Sequence, residues 1–431
     1  MNQVADRLDV EYVRSQFPAF AAPALQGWSF FENAGGSYAC RHTVELLRTY
    51  YEETKVQPYG FYPASARAGE MMDRSYQRWA AALAVSPEEV HFGASTSINT
   101  YVLGQAFAAT LRPGDEVIVT NQDHEANTGA MRRAATAAGA SLIEWTVDPV
   151  DGTLDPEVLG SLLSGRTALV TFPHASNLVG QENDVQQLTA MAHEAGARVI
   201  VDGVAFAPHR VPNLAELNPD VYLFSLYKTY SVHQGLMVVR NGLIDELPNQ
   251  GHYFNAPLAN KRLTPAGPDH AQIAASAGVL DYIEDLAAHH GSGSGSLRAA
   301  VDHVNALWGR HETRLLEPLL GQLRAMPGVR ILGPDSVDGH PGMHRCPTVA
   351  FVPGERDPAE VATKLADRKI MAGAGHFYAK RLVEGLGVDS VTGAVRLSFV
   401  HYTIDADMAA LQDALASVLA YPNPADSACS L

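Results

Sequence analysis

The alternation of short apolar runs with helical patterns between about residues 90 and 240 constrains the fold more than any other feature of this sequence. Seven short runs are rich in β-branched side chains, are bounded by Gly, Pro or Asp, and predict strands at 90–93, 116–120, 141–145, 168–172, 198–202, 221–225 and 236–240. Helical patterns separate them at 97–110, 126–138, 156–163 and 184–195. Because strands that alternate with helices form mostly parallel sheets covered on both faces, we predict an α/β fold with a mostly parallel seven-stranded sheet.

A different pattern follows residue 260 and predicts a smaller α+β domain. It contains helices at 270–289, 297–326, 358–368 and 405–419, and short strands near 329–332, 348–352 and 394–398. A Gly-Ser run at 291–296 predicts a flexible turn, and the residues from 421 predict a frayed tail. We expect residues 1–30 to be an N-terminal segment of the small domain, 31–290 the large domain, and 291–431 the small C-terminal domain.

The balance of charged residues excludes several classes of partner. The 431 residues include 31 Lys and Arg against 47 Asp and Glu, so the net charge is −16. Nucleic-acid binding needs a concentrated cationic face, and this excess of acids argues against it. The N-terminal residues lack the apolar stretch of a signal peptide, and no uncharged run approaches the length of a membrane span. We therefore expect neither a nucleic-acid partner nor a membrane partner.

The cysteines indicate the redox setting of the chain. Cys40, Cys346 and Cys429 form an odd, sparse set without a C-x-x-C pair, which excludes a disulfide scaffold and offers no structural zinc site. We expect reduced thiols, no metal site and a cytoplasmic location.

Polar side chains stand directly after several predicted strands. They are Ser95, Asp123, His124, His174, Asn177, Asp202, Ser225 and Lys228. In open parallel sheets, ligands bind beyond the carboxyl ends of the strands. This placement predicts a ligand site at that edge of the sheet.

Asp202 and Lys228 carry the chemical hypothesis. The apolar strand 198–202 ends at Asp202, and the strand 221–225 is followed by Lys228. A carboxylate and a lysine at adjacent strand ends fit a pyridoxal phosphate (PLP) site, where the lysine forms a Schiff base and the aspartate keeps the pyridine nitrogen protonated. The segment 93–99 opens a helix with hydroxyl side chains and backbone N–H groups that suit a phosphate.

Taken singly, each of these residues also has an ordinary structural interpretation. Lys228 alone fits a surface lysine, and Ser95 and Thr96 fit a helix cap. His124 fits a buried structural histidine, and Asn177 fits a turn residue. Their combination at neighbouring strand ends favours a common site.

The motifs together resemble the class V aminotransferase superfamily, and within it the cysteine desulfurase and selenocysteine lyase branch. Six segments carry the resemblance over nearly the whole chain: Phe31-Glu-Asn-Ala-Gly-Gly36, Asp123-His-Glu-Ala-Asn127, His174-Ala-Ser-Asn-Leu-Val-Gly180, Val201-Asp-Gly203, Phe224-Ser-Leu-Tyr-Lys228 and Val395-Arg-Leu-Ser-Phe-Val-His-Tyr402. Their order is specific for a fold-type I PLP enzyme and much less specific for the reaction.

The resemblance implies a PLP cofactor, an L-amino-acid substrate and a homodimer, and it assigns roles to residues of this chain. Lys228 is the Schiff-base lysine, Asp202 the partner of the pyridine nitrogen, and His124 the residue that stacks on the ring. Asn177 lies near the phenolic oxygen and the substrate carboxylate, and Arg396 anchors that carboxylate. The remaining expected contacts are Ala94, Ser95, Thr96, Ser225 and Tyr227 for the cofactor, and Asn33 for the substrate.

Four departures from the family pattern bear on these roles. Tyr378 stands at the position of the catalytic cysteine, in the stretch Ala374-Gly-His-Phe-Tyr-Ala379. Ala205 replaces a glutamine that bonds the phenolic oxygen, and Tyr227 replaces a phosphate-binding histidine. Ala266-Gly-Pro268 replaces a Gly-Thr-Pro motif whose threonine reaches the phosphate of the neighbouring subunit. Without a thiolate to attack the substrate sulfur, persulfide formation is expected to fail.

The resemblance and its departures predict a PLP-dependent lyase that cleaves the carbon–sulfur bond of cysteine or a cysteine S-conjugate without persulfide formation. Some relatives of this type act in secondary metabolism. Lys228 would remove the Cα proton. Tyr378 and His376 are catalytic candidates that position or protonate the leaving group, or they only wall the pocket. The alternatives are decarboxylating deamination, transamination or epimerisation of the same kind of substrate, and a non-catalytic protein of this fold.

Overall fold

The large sheet of the computed structural model has seven strands: β1 (Val90–Gly93), β2 (Glu116–Thr120), β3 (Ser141–Trp145), β4 (Thr167–Pro173), β5 (Arg198–Asp202), β6 (Val221–Ser225) and β7 (Gly235–Val239). Five have the predicted bounds, β4 is one residue longer at each end, and β7 lies one residue earlier. The structure describes residues 7–292, 295–337 and 345–420. The predicted tail, Cys429 and the centre of the Gly-Ser turn lie outside the described residues.

The strands lie in the order β1-β7-β6-β5-β4-β2-β3. β7 is antiparallel to both of its neighbours, and the other pairs are parallel. Every residue of β2, β6 and β7 is buried, as expected for strands covered on both faces. The predicted α/β fold with a mostly parallel seven-stranded sheet is confirmed.

Alternate side chains of the sheet enter two separate hydrophobic cores. Val199 and Val201 pack in the larger core with Trp79, whereas Ile200 between them packs in a second core with Leu103. Successive side chains of a strand point to opposite faces, so each core covers one face of the sheet.

Helices supply the two covering layers. Between the strands lie Thr96–Ala108, Glu125–Ala138, Pro156–Leu162, Val185–Glu194 and Leu214–Leu217. Before and after the strands lie Val10–Ser15, Arg41–Glu53, Pro63–Leu83, Asn241–Glu246 and Ala259–Arg262.

The prediction of one continuous helix over 270–289 is wrong. The chain forms two helices, His270–Ser276 and Gly278–His289. Gly278 lies directly against the backbone of the helix Arg41–Glu53, where an added Cβ would come within 2.7 Å of the Thr43 Cα. The glycine permits this close approach, a tertiary contact that the helical pattern does not contain.

The C-terminal part forms a smaller α+β domain, as predicted. Its antiparallel four-stranded sheet has the order Gly373–Gly375, Ala394–Ser398, Thr348–Pro353 and Val329–Leu332. Its helices are Pro358–Ala366, Lys380–Gly385 and Asp405–Val418. The short strand Ser29–Phe30 pairs in parallel with Ile370–Met371. Residues 29–30 thus pair with the small domain, whereas Val13 and Phe17 pack in the larger core of the sheet domain, so the predicted domain boundaries stay predictions.

The long helix Leu297–Ala325 belongs to both hydrophobic assemblies. Trp308 in its first half lies in the larger core of the sheet domain. Leu319 in its second half lies in the core of the small domain. The predicted boundary at 290/291 therefore divides the sequence but not the packing, because this helix contributes side chains to the cores of both domains.

Two kinds of feature are not found within residues 7–292, 295–337 and 345–420. No helix there combines the length and the apolar composition that a membrane span requires. No group of three or more His, Cys, Asp or Glu side chains there is arranged to hold a metal ion.

Candidate active site

Lys228 lies at the carboxyl edge of the sheet, at the end of the short 3₁₀ helix Leu226–Lys228 that follows β6. The backbone two residues further on is fixed in an unusual conformation, because Tyr230 has a left-handed φ of 60°. The Tyr230 hydroxyl donates a hydrogen bond to the carbonyl of Pro208. The strand end and this turn hold the lysine in one place, only 8% exposed.

The surroundings of Lys228 disfavour its charge. Burial, followed by the positive charge of Arg396, lowers the pKa of the Lys228 ammonium to about 8. The carboxylates of Asp202 and Glu32 act in the opposite direction. A lysine with this pKa has a substantial neutral fraction near neutral pH and can act as a nucleophile or base.

Asp202 ends β5, beside β6. The Val204 N–H donates to Asp202 Oδ1 over 2.8 Å. Burial raises the pKa of the Asp202 carboxyl to about 6, although the Val204 N–H and Lys228 oppose the shift. Burial and the charge of Asp202 also raise the pKa of Asp123. Two buried carboxyl groups with raised pKa values form an acidic end of the cleft that suits a cation.

His124 precedes the helix Glu125–Ala138 and caps it, with Nδ1 accepting from the Ala126 N–H over 3.0 Å. Burial, followed by the charges of Lys228 and Arg396, lowers the pKa of His124 to about 4. The imidazole is therefore neutral near neutral pH, as a ring that stacks on a flat cofactor should be.

Hydroxyl groups meet at the start of the helix Thr96–Ala108. Thr96 Oγ1 and Ser225 Oγ lie 2.7 Å apart, and Ser95 Oγ accepts from the Ile98 N–H over 3.2 Å. Gly235 makes this meeting possible, because an added Cβ would collide with the backbone of Ser95 and Thr96. Hydroxyls at a helix N-terminus suit a phosphate.

Two further predicted cofactor contacts lie beside this end. The Tyr227 ring lines the cleft and stacks on His233, with centroids 4.7 Å apart. Ala94 instead lines a neighbouring cavity with Ala266 and Pro268. Its predicted cofactor contact stays a prediction.

Arg396 lies in the strand Ala394–Ser398 of the small domain and is 3% exposed. Nη1 donates to the Asn177 carbonyl over 3.1 Å, and Nη2 donates to Glu32 Oε1 over 2.5 Å. The guanidinium carbon lies 3.8 Å from the centroid of the Phe377 ring. A carbonyl, a carboxylate and an aromatic face therefore orient the guanidinium.

Asn177 connects the small domain to the cleft. Its Nδ2 donates to the Phe377 carbonyl over 2.9 Å. Its Oδ1 is buried and, within the described parts of the chain, has no hydrogen-bond partner. A buried polar atom in this state is available to a ligand.

The loop that contains Phe377 and Tyr378 is strained. Phe377 and Tyr378 have consecutive left-handed φ values of 49° and 60°. The Tyr378 carbonyl accepts from the Glu125 N–H over 2.9 Å, and the Tyr378 ring lies 5.2 Å from His124 at 31°. His376 Nδ1 accepts from the Tyr378 N–H over 3.1 Å.

One cleft collects most of the predicted site. Its predicted members are Thr96, His124, Asn177, Asp202, Ser225, Tyr227 and Lys228. Its lining, as far as the described residues go, includes neither His376 nor Tyr378. Their catalytic roles stay predictions, with Tyr378 at the rim.

The amide of Asn33 is engaged within the protein. Its Nδ2 donates to the Ser398 carbonyl over 3.2 Å, and its Oδ1 accepts from the Tyr402 hydroxyl. These bonds hold the N-terminal motif against the small domain. A direct contact between Asn33 and substrate stays a prediction.

Glu32 and Phe377 are the residues that sequence reasoning missed. Each was adjacent to a singled-out residue, Glu32 to Asn33 and Phe377 to Tyr378. The signal for Glu32 was a carboxylate in a motif whose other residues, Phe, Asn, Ala and Gly, carry no charge. Its target, Arg396, stands 364 positions away in the chain.

The groups of the cleft fit PLP from end to end. Thr96 and Ser225 stand at the helix N-terminus for the phosphate, and Asp202 stands at the acidic end for a protonated pyridine nitrogen. Lys228 lies in the same cleft for the aldehyde carbon. Burial raises the pKa of the Asp202 carboxyl, and a protonated ring nitrogen beside it would stabilise the ionised form.

Comparison with known proteins agrees with this fit. The family model described as aminotransferase class-V matches residues 29–264 and 290–411. The chain is 34% identical over 403 residues to the aminotransferase-like protein FGM3 of Gibberella zeae, covering 91% of this chain and 94% of that protein. It is 28% identical over 399 residues to a cysteine desulfurase of Serratia proteamaculans, covering 89% and 93%.

The fold is shared with a solved cysteine desulfurase from Thermococcus onnurineus. The TM-score is 0.82 at 22% identity, over 96% of this chain and 98% of that chain. The family match, together with this fold, gives the identity of the chain. It belongs to the class V aminotransferase family and is a PLP-dependent enzyme.

Proposed function

We propose that the enzyme is a carbon–sulfur lyase that acts by β-elimination on cysteine or a cysteine S-conjugate and forms no persulfide. One observation carries the proposal. The resemblance to the desulfurases aligns Tyr378 with their catalytic cysteine, while Lys228 and Asp202 line one cleft and Arg396 is bonded to the carbonyl of Asn177 in that cleft. The chemistry at Cα is thereby retained without the sulfur acceptor.

Neither thiol within the described residues has the properties of a sulfur acceptor. Cys40 and Cys346 are free and buried. Burial raises the pKa of Cys40 to about 11, and burial followed by the charge of Glu182 raises the pKa of Cys346 well above its ordinary value. Neither thiol gives a thiolate near neutral pH, and the thiolate is the reactive form.

In this proposal, residues of the cleft and residues beside it have separate tasks. Bound PLP supplies a ring that accepts negative charge from the substrate Cα. Asp202 keeps the ring nitrogen protonated, and Arg396 holds the α-carboxylate. Lys228, neutral in a substantial fraction near neutral pH, takes the Cα proton. Tyr378 at the rim returns a proton to the departing thiolate, with His376 beside it.

The products follow from the bonds that break. Elimination breaks the Cα–H and Cβ–S bonds and releases a thiol. One water then hydrolyses the remaining three-carbon enamine to pyruvate and ammonium. The three-carbon unit and the nitrogen of the substrate are thereby accounted for without an external oxidant or reductant.

The test is product analysis with S-ethyl-L-cysteine. We expect ethanethiol, pyruvate and ammonium in equal amounts, and no products with Lys228→Ala. Carbon dioxide would instead indicate decarboxylation, a keto acid that keeps the thioether would indicate transamination, and loss of optical activity alone would indicate epimerisation. Sulfide and alanine from L-cysteine would overturn the proposal. If neither turnover nor the visible absorbance of bound cofactor is observed, the results would support the alternative of a non-catalytic protein of this fold.

The rim residues are tested separately. Tyr378→Phe removes the hydroxyl and keeps the ring that lies on His124. If Tyr378 protonates the leaving group, this variant slows elimination of ethanethiol more than elimination of an acidic thiol such as nitrothiophenol. If Tyr378→Phe slows both eliminations by the same factor, Tyr378 only lines the pocket. The same pair of substrates with His376→Ala tests the histidine.

We also propose that the enzyme is a homodimer, because apolar side chains are exposed beside the site. Tyr59, Phe254 and Leu258 are 55%, 63% and 45% exposed and line one cavity with Pro268. A second cavity shares Pro268 and reaches Ala94, next to the phosphate end. A second copy seated there would bury this patch and approach the cofactor.

Light scattering tests the dimer. The holoenzyme is expected at twice the chain mass, and Phe254→Asp is expected to shift it towards the monomer. A wild-type monomer at micromolar concentration would contradict this proposal. The free thiols of Cys40 and Cys346 support a cytoplasmic location, which cell fractionation tests.

A further inference from the structure

Glu32 is paired with the residue that is proposed to hold the substrate carboxylate. Its Oε1 lies 2.5 Å from Arg396 Nη2, and the Arg396 side chain is only 4% exposed. The other oxygen, Oε2, is buried and has no hydrogen-bond partner within the described parts of the chain. The proposed elimination reaction does not use this carboxylate.

The fold builds the position of Glu32 in three ways. Its backbone bridges to Ser398 of the strand that carries Arg396, so both residues belong to the small domain. Gly373 leaves room for Oε2, because a Cβ there would come within 2.5 Å of it. Gly35 does the same for Oε1, which a Cβ would approach to 2.9 Å. Two glycines and a bridge thus place the carboxylate over the guanidinium.

Both terminal nitrogens of Arg396 already have acceptors. Nη1 donates to the Asn177 carbonyl and Nη2 donates to Glu32. An arginine binds a carboxylate best through two parallel N–H donors. Arg396 Nε is buried without a hydrogen-bond partner within the described parts of the chain. A substrate carboxylate that binds the parallel donors Nε and Nη2 therefore competes with Glu32 for Nη2.

We propose that Glu32 is a specificity-determining residue whose carboxylate occupies the substrate-carboxylate subsite and is displaced when an amino acid binds. This inference rests on the proposed role of Arg396 as the anchor. Glu32 then selects among ligands, because only a ligand whose carboxylate can replace the Glu32 carboxylate at Arg396 binds well. An amine without an α-carboxylate does not compete with Glu32 for Arg396. Removal of the Glu32 carboxylate should therefore not increase the affinity for such an amine.

The experiment compares two ligands that differ only in the carboxylate, S-methyl-L-cysteine and 2-(methylthio)ethylamine. Dissociation constants are measured on the holoenzyme from the change in visible absorbance of the bound cofactor. We expect Glu32→Gln to bind the amino acid about tenfold more tightly, equivalent to ~1.4 kcal/mol, and the amine within about twofold of wild type. Glu32→Ala should show the same selective gain.

The controls separate the possible failures. Glu384→Gln, in an exposed pair with Lys380, should change neither constant. Thermal unfolding of Glu32→Gln and Glu32→Ala checks that both variants fold. Weaker or unchanged binding of the amino acid by the folded Glu32 variants would overturn the inference and leave the lyase proposal standing. No absorbance change with either ligand in wild type would overturn both.

Discussion

The hydroxyl oxygens of Thr96 and Ser225 lie 2.7 Å apart, so the first residue of a helix and the last residue of β6 are hydrogen-bonded at the cofactor edge of the sheet. The pair is thereby preorganised to receive a phosphate together with the helix N-terminus.

Ser225→Ala is therefore expected to weaken cofactor retention. Loss of one hydroxyl contact to a charged phosphate should raise the dissociation constant of PLP about tenfold, within the usual range of hydrogen bonds to charged groups. Equilibrium dialysis against PLP measures it. Ser161→Ala, an exposed serine that bonds its own helix, is the matched control. Unchanged retention would remove Ser225 from the phosphate site.

Asp202→Asn is expected to separate cofactor binding from catalysis. The amide keeps an oxygen for the Val204 N–H but cannot hold a positive charge on the ring nitrogen. We expect kcat to fall about 100-fold, the scale of losing one electrostatic stabiliser, with PLP still bound. Steady-state kinetics and cofactor stoichiometry give both values. The exposed Asp245→Asn should leave both unchanged, and an unaltered kcat in Asp202→Asn would contradict the assignment.

The pKa of Lys228 predicts the pH dependence of cofactor attachment. The neutral amine attacks the aldehyde, and the pKa is lowered from 10.5 to about 8. Below that pH the ammonium predominates and attachment is slow; above it the neutral amine predominates and the rate levels off. Stopped-flow absorbance of apoprotein mixed with PLP gives the profile. A rate that keeps rising towards the ordinary lysine value, as with free N-acetyl-lysine, would refute the shift.

A buried pair predicts a stability effect away from the cleft. His209 Nδ1 and Glu312 Oε2 lie 3.0 Å apart, and both side chains are almost fully buried. Glu312→Ala leaves the imidazole buried without its partner and should lower the free energy of unfolding by about 3 kcal/mol. Urea unfolding measures it. Glu360→Ala, in an exposed pair with Lys364, should cost under about 0.5 kcal/mol. Equal losses in the free energy of unfolding of the two variants would show that the buried pair stabilises the protein no more than the exposed pair does.

The central strands of the sheet are predictable because they are buried on both faces and form nearly continuous apolar runs. β2, β5 and β6 begin and end where the sequence predicts. The break before Gly278 is not predictable, because it depends on a helix about 230 positions earlier in the chain meeting this glycine. The strand Gly373–Gly375 also escapes prediction, since its residues lack side chains that favour strands.

The candidate site is predictable where its residues lie at the ends of strands. Asp202 and Lys228 stand at adjacent strand ends, and sheet topology alone brings them together. The Glu32–Arg396 pair is different, because its two members meet through the small domain and are separated by most of the chain. The left-handed Phe377 and Tyr378 are equally hidden, since neither residue type favours that conformation.

The helix Leu297–Ala325 has a consequence for how the protein loses its structure. Its first turns are part of the core around Trp308, and its last turns are part of the core around Leu319. Disorder of either core is expected to loosen the helix that both cores share, although Pro318 removes one backbone N–H from its second half. We therefore expect the two domains to unfold in one thermal transition rather than in two.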